Sequence, residues 1–256
     1  MKKIGIIPAR MASSRFPGKP LADIHGVPML GHVYHRSKLC EKLDEVYVAT
    51  CDSEIYDYIR SIGGKAFMTA DSHERASDRA AEALLKIEDA NREKAEIVVM
   101  IQGDEPMLFP EMIDDSIKPF EDDSNVKVVN LMAKMKTLEE QMDPNEVKVV
   151  TSLNGDALYL SREPIPSKKK TAEEVTVYKQ VCIIPFSRDF LIEFNNLTPT
   201  PLEIIESVDM LRILEHGMQV KMVETEYETY SVDTPEDLKK VEKKMLNDRL
   251  MNHYCK

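Results

Sequence analysis

Short apolar runs alternate with helical segments through the first half of the chain, and this alternation constrains the fold more than any other feature. Runs with strand character cover residues 3–8, 45–50, 65–68 and 97–101, and polar loops follow them. Between these runs, apolar side chains recur at helical spacing over residues 29–39, 54–62 and 80–91. Strand–helix–strand repeats connect parallel strands. The sequence therefore predicts an α/β fold, with a mainly parallel sheet flanked by helices and ligands at the carboxyl ends of its strands.

The pattern changes near residue 124. Strand-like runs now cover residues 126–135, 147–150, 157–160 and 175–184, with little helix between them. Residues from about 124 to 185 are therefore a predicted β-rich extension or arm and a candidate dimerisation surface. A helix is predicted over 201–216 with Gly217 as its C-cap, then a strand over 220–223 and a last helix from Pro235. With no internal repeat or low-complexity linker, residues 1–256 are predicted to form a single domain.

Charge and cysteine usage exclude several classes of protein. The formal net charge of −11 argues against nucleic acid as a partner, because a polyanion is repelled. No apolar run approaches the ~20 residues that a membrane span needs. Cysteines at positions 40, 51, 182 and 255 form no CxxC pair, which predicts free thiols in a reducing, cytoplasmic setting. The first twenty residues nevertheless carry five positive charges and no negative one, which indicates a small anionic ligand there.

The loop after the first predicted strand has the composition of a triphosphate site. Residues 8–21 read PARMASSRFPGKPL. Arg10 and Arg15 can each pair with two phosphate oxygens, and Lys19 adds a mobile point charge. The loop matches neither GxxxxGK[ST] nor GxGxxG, so neither P-loop nor dinucleotide-binding chemistry is indicated. A solvated basic loop is the alternative interpretation.

Two acidic residues are candidates for a magnesium site. Asp104, in Gln102-Gly103-Asp104-Glu105-Pro106, directly follows the predicted strand 97–101, and Asp233 precedes the last predicted helix. Mg²⁺ is commonly bound by one or two carboxylates together with substrate phosphates, so this pair could hold it at the α-phosphate. Simpler roles stay open, because Asp104 could form a turn and Asp233 could cap the last helix.

The motifs, taken in order, resemble those of the CMP-Kdo synthetases (3-deoxy-manno-octulosonate cytidylyltransferases), a family related to the acylneuraminate cytidylyltransferases. They are IPARxxSSRxPGKPLxDIxGxPM, QGDEP, ALYxSRxPIP, PLExxE and VDTPEDL, spanning about residues 4–242. The resemblance implies a Rossmann-like α/β layer and a homodimer formed through the β-rich extension. It also implies that the anomeric hydroxyl of Kdo, or of a Kdo-like 2-keto-3-deoxy acid, attacks the α-phosphorus of CTP with Mg²⁺ bound, and that pyrophosphate leaves.

The resemblance assigns roles to individual residues. The implied catalytic residues are Arg10, Lys19 and Asp104, and the implied metal ligands are Asp104 and Asp233. The implied nucleotide-binding residues are Arg10, Ser14, Arg15, Lys19, Ser77 and Arg79. On the sugar side the candidates are Gln102, Arg75, Arg162, Gln180 and Met210.

The chain departs from the family pattern on the sugar side. Gln180 replaces a His, Ile184 a Tyr and Met210 a Gln, and Arg75-Ala76 replaces Ser-Gly. Because a hydroxyl left unpaired is costly, we hypothesise that the pocket disfavours ordinary Kdo and accepts a related acid, whose carboxylate pairs with Arg75 and Arg162. Neutral drift stays open as an alternative. So do transfer to a non-ketose acid and a non-catalytic sugar-nucleotide-binding role, although the intact phosphate and metal motifs argue against the last.

Overall fold

The computed structural model describes residues 2–13, 15–170 and 175–255. The chain divides into two compact units, of which the first comprises Met1–Asp114 and Thr229–Lys256 and the second Asp115–Glu228. A single functional domain over residues 1–256 stays a prediction. Within the described ranges, no helix is both long enough and apolar enough to cross a membrane.

The first unit begins with the alternating elements that the sequence predicts. Its strands are β1 (Lys3–Ala9), β2 (Asp23–Ile24), β3 (Val27–Pro28), β4 (Glu45–Thr50), β5 (Ala66–Met68) and β6 (Ile97–Ile101). The helices among them are α1 (Met29–Lys38), α2 (Ser53–Ser61) and α3 (Ala76–Asn91), and α4 (Pro110–Asp122) contains the boundary with the second unit. α3 begins four residues earlier than the predicted start at residue 80.

The parallel strands of the first unit lie in the order β6, β1, β4, β5. Ile4 of β1 stands opposite Glu45, Lys3 stands opposite Ile97, and Val48 of β4 stands opposite Ala66. Every residue of β6 is buried, as expected of a strand covered on both faces. Because the strands run parallel, the loops after β1, β4, β5 and β6 all leave from the same edge of the sheet.

The second unit contains the β-rich segment. Its strands are β7 (Val129–Lys134), β8 (Lys148–Thr151), β9 (Ala157–Ser161), β10 (Tyr178–Val181), β11 (Ile183–Ser187) and β12 (Lys221–Thr225). Its helices are α5 (Leu138–Met142), α6 (Arg188–Asn196), α7 (Pro201–Glu206) and α8 (Met210–Glu215). One sheet has the order β12, β7, β10, β8, β9, and its pairs are antiparallel except for β12 with β7. Its predicted role in dimerisation stays a prediction.

The helix predicted over 201–216 is two helices. Ser207 takes the left-handed conformation at φ 53° and ends α7, so the helical hydrogen bonding is interrupted before α8 begins at Met210. Gly217 stands one residue after His216, the C-cap of α8, and its N–H donates to the Leu214 carbonyl at 2.9 Å.

The chain returns to the first unit with α9 (Pro235–Met245), and a 3-10 helix follows over Arg249–His253. Side chains of α9 and of the residues before it complete an apolar cluster with the β2 region. Its buried members are Ile24, Met29, Val232, Val241 and Met245. This cluster fixes the segment that carries Asp233 against the segment that follows Lys19.

Candidate active site

The loop between β1 and Lys19 is closed by its own backbone. The Gly18 N–H donates to the Met11 carbonyl at 3.1 Å, and the Met11 N–H donates to the Asp52 carboxylate, just beyond β4, at 2.8 Å. Gly18 has φ 74°, a left-handed conformation that glycine adopts without the cost of a Cβ. Directly after it, a 3-10 helix begins at Lys19. The loop therefore has a fixed exit that sets the position of the Lys19 side chain.

Lys19 contacts both of the carboxylates that the sequence predicts to bind magnesium. Its Nζ donates to Asp104 Oδ2 at 3.0 Å, to the Val232 carbonyl at 2.7 Å and to Asp233 Oδ1 at 3.4 Å. The Val232 N–H in turn donates to the Asp104 carbonyl at 2.9 Å. The Lys19 side chain is only 12% exposed, so these contacts lie largely out of bulk water. Residues more than two hundred positions apart thus meet at one ammonium group.

Asp233 is not the cap of α9. Thr234 is the N-cap, and its side chain accepts a hydrogen bond from the Asp237 N–H at 3.2 Å, while the Asp237 carboxylate accepts from the Thr234 N–H at 3.1 Å. Burial alone would raise the pKa of Asp237, but the hydrogen bonds from Thr234 and from the Asp233 N–H hold it below its ordinary value. The helix start is satisfied without the Asp233 side chain, and that carboxylate faces Lys19 and Arg15 instead.

A cavity of about 330 Å³ opens at this edge of the sheet. The described side chains that line it include five cations and three carboxylates. The predicted site residues among them are Arg10, Arg15, Lys19, Arg75, Arg79, Gln102, Asp104 and Asp233. The cationic excess suits an anion of several charges, and the volume lies in the range of small-molecule sites.

The two arginines of the phosphate loop lie at the exposed side of the cavity. Arg15 Nη2 contacts Asp233 Oδ1 at 2.9 Å, yet the Arg15 side chain remains 52% exposed. Arg10 is exposed where β1 ends. Ser14, predicted to bind the nucleotide, lies outside the described residues.

Arg79 holds the part of the cavity wall that the β5–α3 loop forms. This buried guanidinium donates to the Thr69 hydroxyl, to the Ala70 carbonyl at 3.2 Å and to the His73 carbonyl at 3.5 Å, so it fixes the β5–α3 loop from behind. Ser77 is fully buried in α3 and is not among the residues that line the cavity. The nucleotide-binding roles of Ser77 and Arg79 stay predictions.

His73 and Glu82 pair at the same wall. The His73 imidazole contacts the Glu82 carboxylate, which also accepts from the Ala70 N–H at 2.9 Å and from Lys86 at 2.7 Å. Burial raises the pKa of Glu82, but the hydrogen bonds from Lys86, Ala70 and His73 lower it more, to about 2. Glu82 therefore stays ionised at neutral pH and holds the loop that presents His73 to the cavity.

Close packing fixes the segment after β6. A Cβ added at Gly103 would lie 3.2 Å from Leu30 Cδ1 and 3.4 Å from the Pro8 carbonyl oxygen. The absent side chain lets the loop that carries Asp104 approach the end of β1. Gln102, predicted to contact the sugar, lines the cavity beside it.

Three of the predicted sugar-binding residues, Arg162, Gln180 and Met210, lie in the second unit. Gln180 Nε2 donates to Asn130 Oδ1 at 2.6 Å. Arg162 donates to the backbone carbonyls of Glu206 at 2.6 Å and Pro144 at 2.8 Å, so its guanidinium braces the β9–α7 region. Met210 is fully buried, and a ligand would reach its side chain only after a rearrangement. Their roles in sugar binding stay predictions.

The carboxylate pair fits Mg²⁺. Asp104 and Asp233 both direct an oxygen to one cationic group, the Lys19 ammonium, so the fold already accommodates positive charge between them. Both supply hard oxygen ligands, and two carboxylates with substrate phosphates are a usual Mg²⁺ donor set. Among the described residues, no group of three or more His, Cys, Asp or Glu side chains forms a metal cluster.

Sequence reasoning missed two residues that support the site. Asp52 holds the Met11 backbone, and Glu82 holds the His73 loop. Asp52 could have been found, because it follows β4 as Asp104 follows β6, at the same edge of the sheet. Glu82 offers no comparable signal, since an acidic residue on a helix is ordinary surface composition.

Comparisons with known proteins identify the family of the chain. The model of the cytidylyltransferase family matches residues 4–244. The 3-deoxy-manno-octulosonate cytidylyltransferase of Geobacter metallireducens is 44% identical over 255 residues, covering 96% of this chain and 98% of its own. That of Solibacter usitatus is 42% identical over 240 residues, covering 94% of this chain and 93% of its own.

A solved structure, CMP:2-keto-3-deoxy-manno-octonic acid synthetase complexed with CTP, has a TM-score of 0.87 and 37% identity and covers 96% of this chain and 98% of its own. The 4-diphosphocytidyl-2C-methyl-D-erythritol synthase of Anaerococcus prevotii, with a TM-score of 0.59 and 17% identity over 95% of this chain and 98% of its own, shares the fold. The resemblance seen in the motifs is thereby confirmed, and the chain belongs to the cytidylyltransferase family.

Proposed function

We propose that the chain transfers CMP from CTP to the anomeric hydroxyl of Kdo and releases pyrophosphate. The observation that carries this proposal is the convergence of Lys19, Asp104 and Asp233 in a cavity rimmed by Arg10 and Arg15. The names of the relatives support Kdo as the acceptor, and the solved structure complexed with CTP supports the nucleotide.

The cationic residues bind the triphosphate and stabilise the leaving group. Arg15 and Lys19 take the β- and γ-phosphates, and Arg10 lies at the mouth of the same cavity. As the bond between the α-phosphorus and the bridging oxygen breaks, charge accumulates on pyrophosphate, and fixed cations there lower the barrier. The new bond joins the sugar oxygen to the α-phosphorus, and the hydroxyl proton is released.

Asp104 and Asp233 are the proposed ligands of Mg²⁺. When bound, the ion would polarise the α-phosphate and offset its negative charge. The chain's own contribution is to hold the two carboxylates together. The Val232 N–H donates to the Asp104 carbonyl, and the Thr234 cap leaves the Asp233 carboxylate to face Lys19 and Arg15.

A Kdo-like acid is the second candidate acceptor. The replaced residues Ile184 and Met210 are both buried, so neither offers surface to a ligand in this conformation, and the case for altered selectivity depends mainly on Gln180 and Arg75. Gln180 retains an amide that can donate or accept. These observations favour Kdo over a Kdo-like acid as the acceptor.

Two further properties belong to the proposal. We place the enzyme in the cytoplasm, in line with its four scattered cysteines, none of which forms a disulfide. We also propose a homodimer formed through the β-rich segment, where Leu158 of β9 is an exposed apolar side chain. Ile204 and Ile205 of α7, in the same unit, are exposed as well.

The test is pyrophosphate release from purified protein with CTP, Mg²⁺ and a panel of acidic sugars. Kdo should be turned over with kcat/KM on the order of 10⁴ M⁻¹s⁻¹ or more, and chelation of the metal should abolish turnover. Preference for another 2-keto-3-deoxy acid would select the second candidate. No turnover of any acid, with CTP still bound, would instead indicate a non-catalytic sugar-nucleotide-binding protein.

A further inference from the structure

The segment that follows α9, residues 246–255, folds back onto α1 around a buried polar network. The Tyr254 hydroxyl lies 2.9 Å from His32 Nδ1 and 3.0 Å from Arg36 Nε. The Arg36 side chain is fully buried and also pairs with Asp248. The Tyr254 ring stacks on His35 at 5.1 Å between centroids.

The donors and acceptors of this network match one by one. His32 Nε2 lies 2.9 Å from the Ile24 carbonyl, which can only accept, so Nε2 carries a proton. Burial lowers the pKa of His32 to about 4, so the ring is neutral and Nδ1 is an acceptor. Tyr254 therefore donates to Nδ1 and accepts from Arg36 Nε. A buried network satisfied in this way holds its members in one arrangement.

The network has two arms, one through His32 and one through Arg36, and each ends on a segment that carries a site residue. The His32 arm ends on Ile24, which packs with Val232 in the apolar cluster, and Val232 accepts from Lys19 and precedes Asp233. The Arg36 arm ends on the Leu108 carbonyl at 3.2 Å. Leu108 closes the turn after Asp104, because its N–H donates to the Glu105 carbonyl at 3.1 Å.

We propose that Tyr254 is a positioning residue for phosphoryl transfer, whose hydroxyl links His32 and Arg36 and so keeps the Lys19 and Asp104 segments in register. It touches no reacting atom and acts through the backbone carbonyls of Ile24 and Leu108. This inference rests on the proposed function, because the register matters only if Lys19 and Asp104 serve one ligand.

The proposal predicts a kinetic defect larger than the loss of stability explains. Tyr254→Phe removes one oxygen and keeps the ring on His35, so the segment should stay folded. Loss of the hydroxyl leaves the buried His32 and Arg36 side chains without a partner for Nδ1 and Nε. A shift of the site by a fraction of an ångström is costly for transfer, since misplacement by about 1 Å can cost 10²-fold. We expect kcat/KM for CTP to fall about tenfold.

The experiment compares wild type with Tyr254→Phe, His32→Leu, His32→Gln and Ile59→Val. The glutamine keeps one donor and one acceptor, whereas leucine removes both. Ile59, buried in α2 and not among the cavity-lining residues, provides a destabilised control, because Ile→Val typically costs about 0.5–1.5 kcal/mol. The readouts are kcat and KM by pyrophosphate release, CTP affinity by calorimetry, and the melting temperature.

The inference is supported if kcat/KM falls about tenfold in Tyr254→Phe and His32→Leu and recovers in His32→Gln. Ile59→Val should keep wild-type kinetics at a melting temperature similar to that of the two disrupting variants. The inference is overturned if Tyr254→Phe and His32→Leu behave as Ile59→Val does. If wild type binds CTP but transfers CMP to no acid, the proposed function fails. The affinity for CTP then tests the inference. Weaker CTP binding in both Tyr254→Phe and His32→Leu supports it, and unchanged CTP binding in these variants overturns it.

Discussion

Replacing Lys19 by methionine is the sharpest test of the candidate site. The substitution replaces the aliphatic stem by an apolar chain of equal length but removes the terminal ammonium, which makes three polar contacts between 2.7 and 3.4 Å. Hydrogen bonds to charged groups contribute about 1.5–3 kcal/mol when desolvated, but Asp104 and Asp233 are partly exposed, which weakens the pairs. We expect the free energy of unfolding to fall by about 1–2 kcal/mol, partly because the two carboxylates then repel each other.

The effect on activity should be much larger than the effect on stability. Removing one preorganised group that stabilises transition-state charge typically costs about 10²–10³ in kcat. The assay is steady-state pyrophosphate release at saturating Kdo, with thermal melting in parallel. Lys38→Met is the matched control, because Lys38 makes an exposed ion pair with Glu45 at 3.4 Å and does not line the cavity. A Lys19→Met enzyme with kcat/KM within threefold of wild type would refute the assignment of Lys19 to the triphosphate.

Three further predictions concern the same unit. Asp104→Ala should remove most turnover and leave the fold intact, as circular dichroism can check. Arg15→Ala should raise KM for CTP and lower kcat with little change in melting temperature, because Arg15 is half exposed; equal wild-type rates with ATP and CTP would contradict the base assignment. The pKa of His32 is lower in the folded protein than in the unfolded chain, so the unfolded chain binds a proton first as the pH falls. The free energy of unfolding should therefore decrease between pH 6.5 and 4, by at most about 3 kcal/mol. His32→Gln should weaken this pH dependence, as denaturant unfolding at several pH values can measure.

The sequence indicated which residues would meet at the cavity because each of them follows or precedes a regular element. Asp104 comes directly after the apolar run of β6, and the phosphate loop comes directly after β1, so a parallel sheet brings both to one edge. The start of α9 was equally readable from Pro235, since proline is favoured at the first helical position. What the sequence left open was whether Asp233 caps that helix. Thr234 and Asp237 cap the helix between them, and Asp233 instead contacts Lys19, 214 positions away.

Features without a local signal escaped prediction. The helix over 201–216 breaks at Ser207, although its apolar pattern runs on through the break. The link between Tyr254 and His32 spans 222 positions, and a tyrosine near the end of a polar segment gives no hint of burial. The early start of α3 places Ser77 inside a helix and out of the cavity. Each outcome is set by tertiary packing, which overrides local preference.

The first unit is built from two separate stretches of the chain, and this has a consequence for its synthesis on the ribosome. Residues 115–228 are made before Thr229–Lys256, so Ile24 and Met29 emerge long before Val232, Val241 and Met245, which complete their cluster. The nascent chain therefore carries an unfinished apolar surface while the intervening residues are translated, and contacts between such distant residues form slowly. Ribosomes that stop early release chains without Asp233. Such fragments hold one of the two carboxylates and should be cleared as misfolded protein rather than persist as weak enzymes.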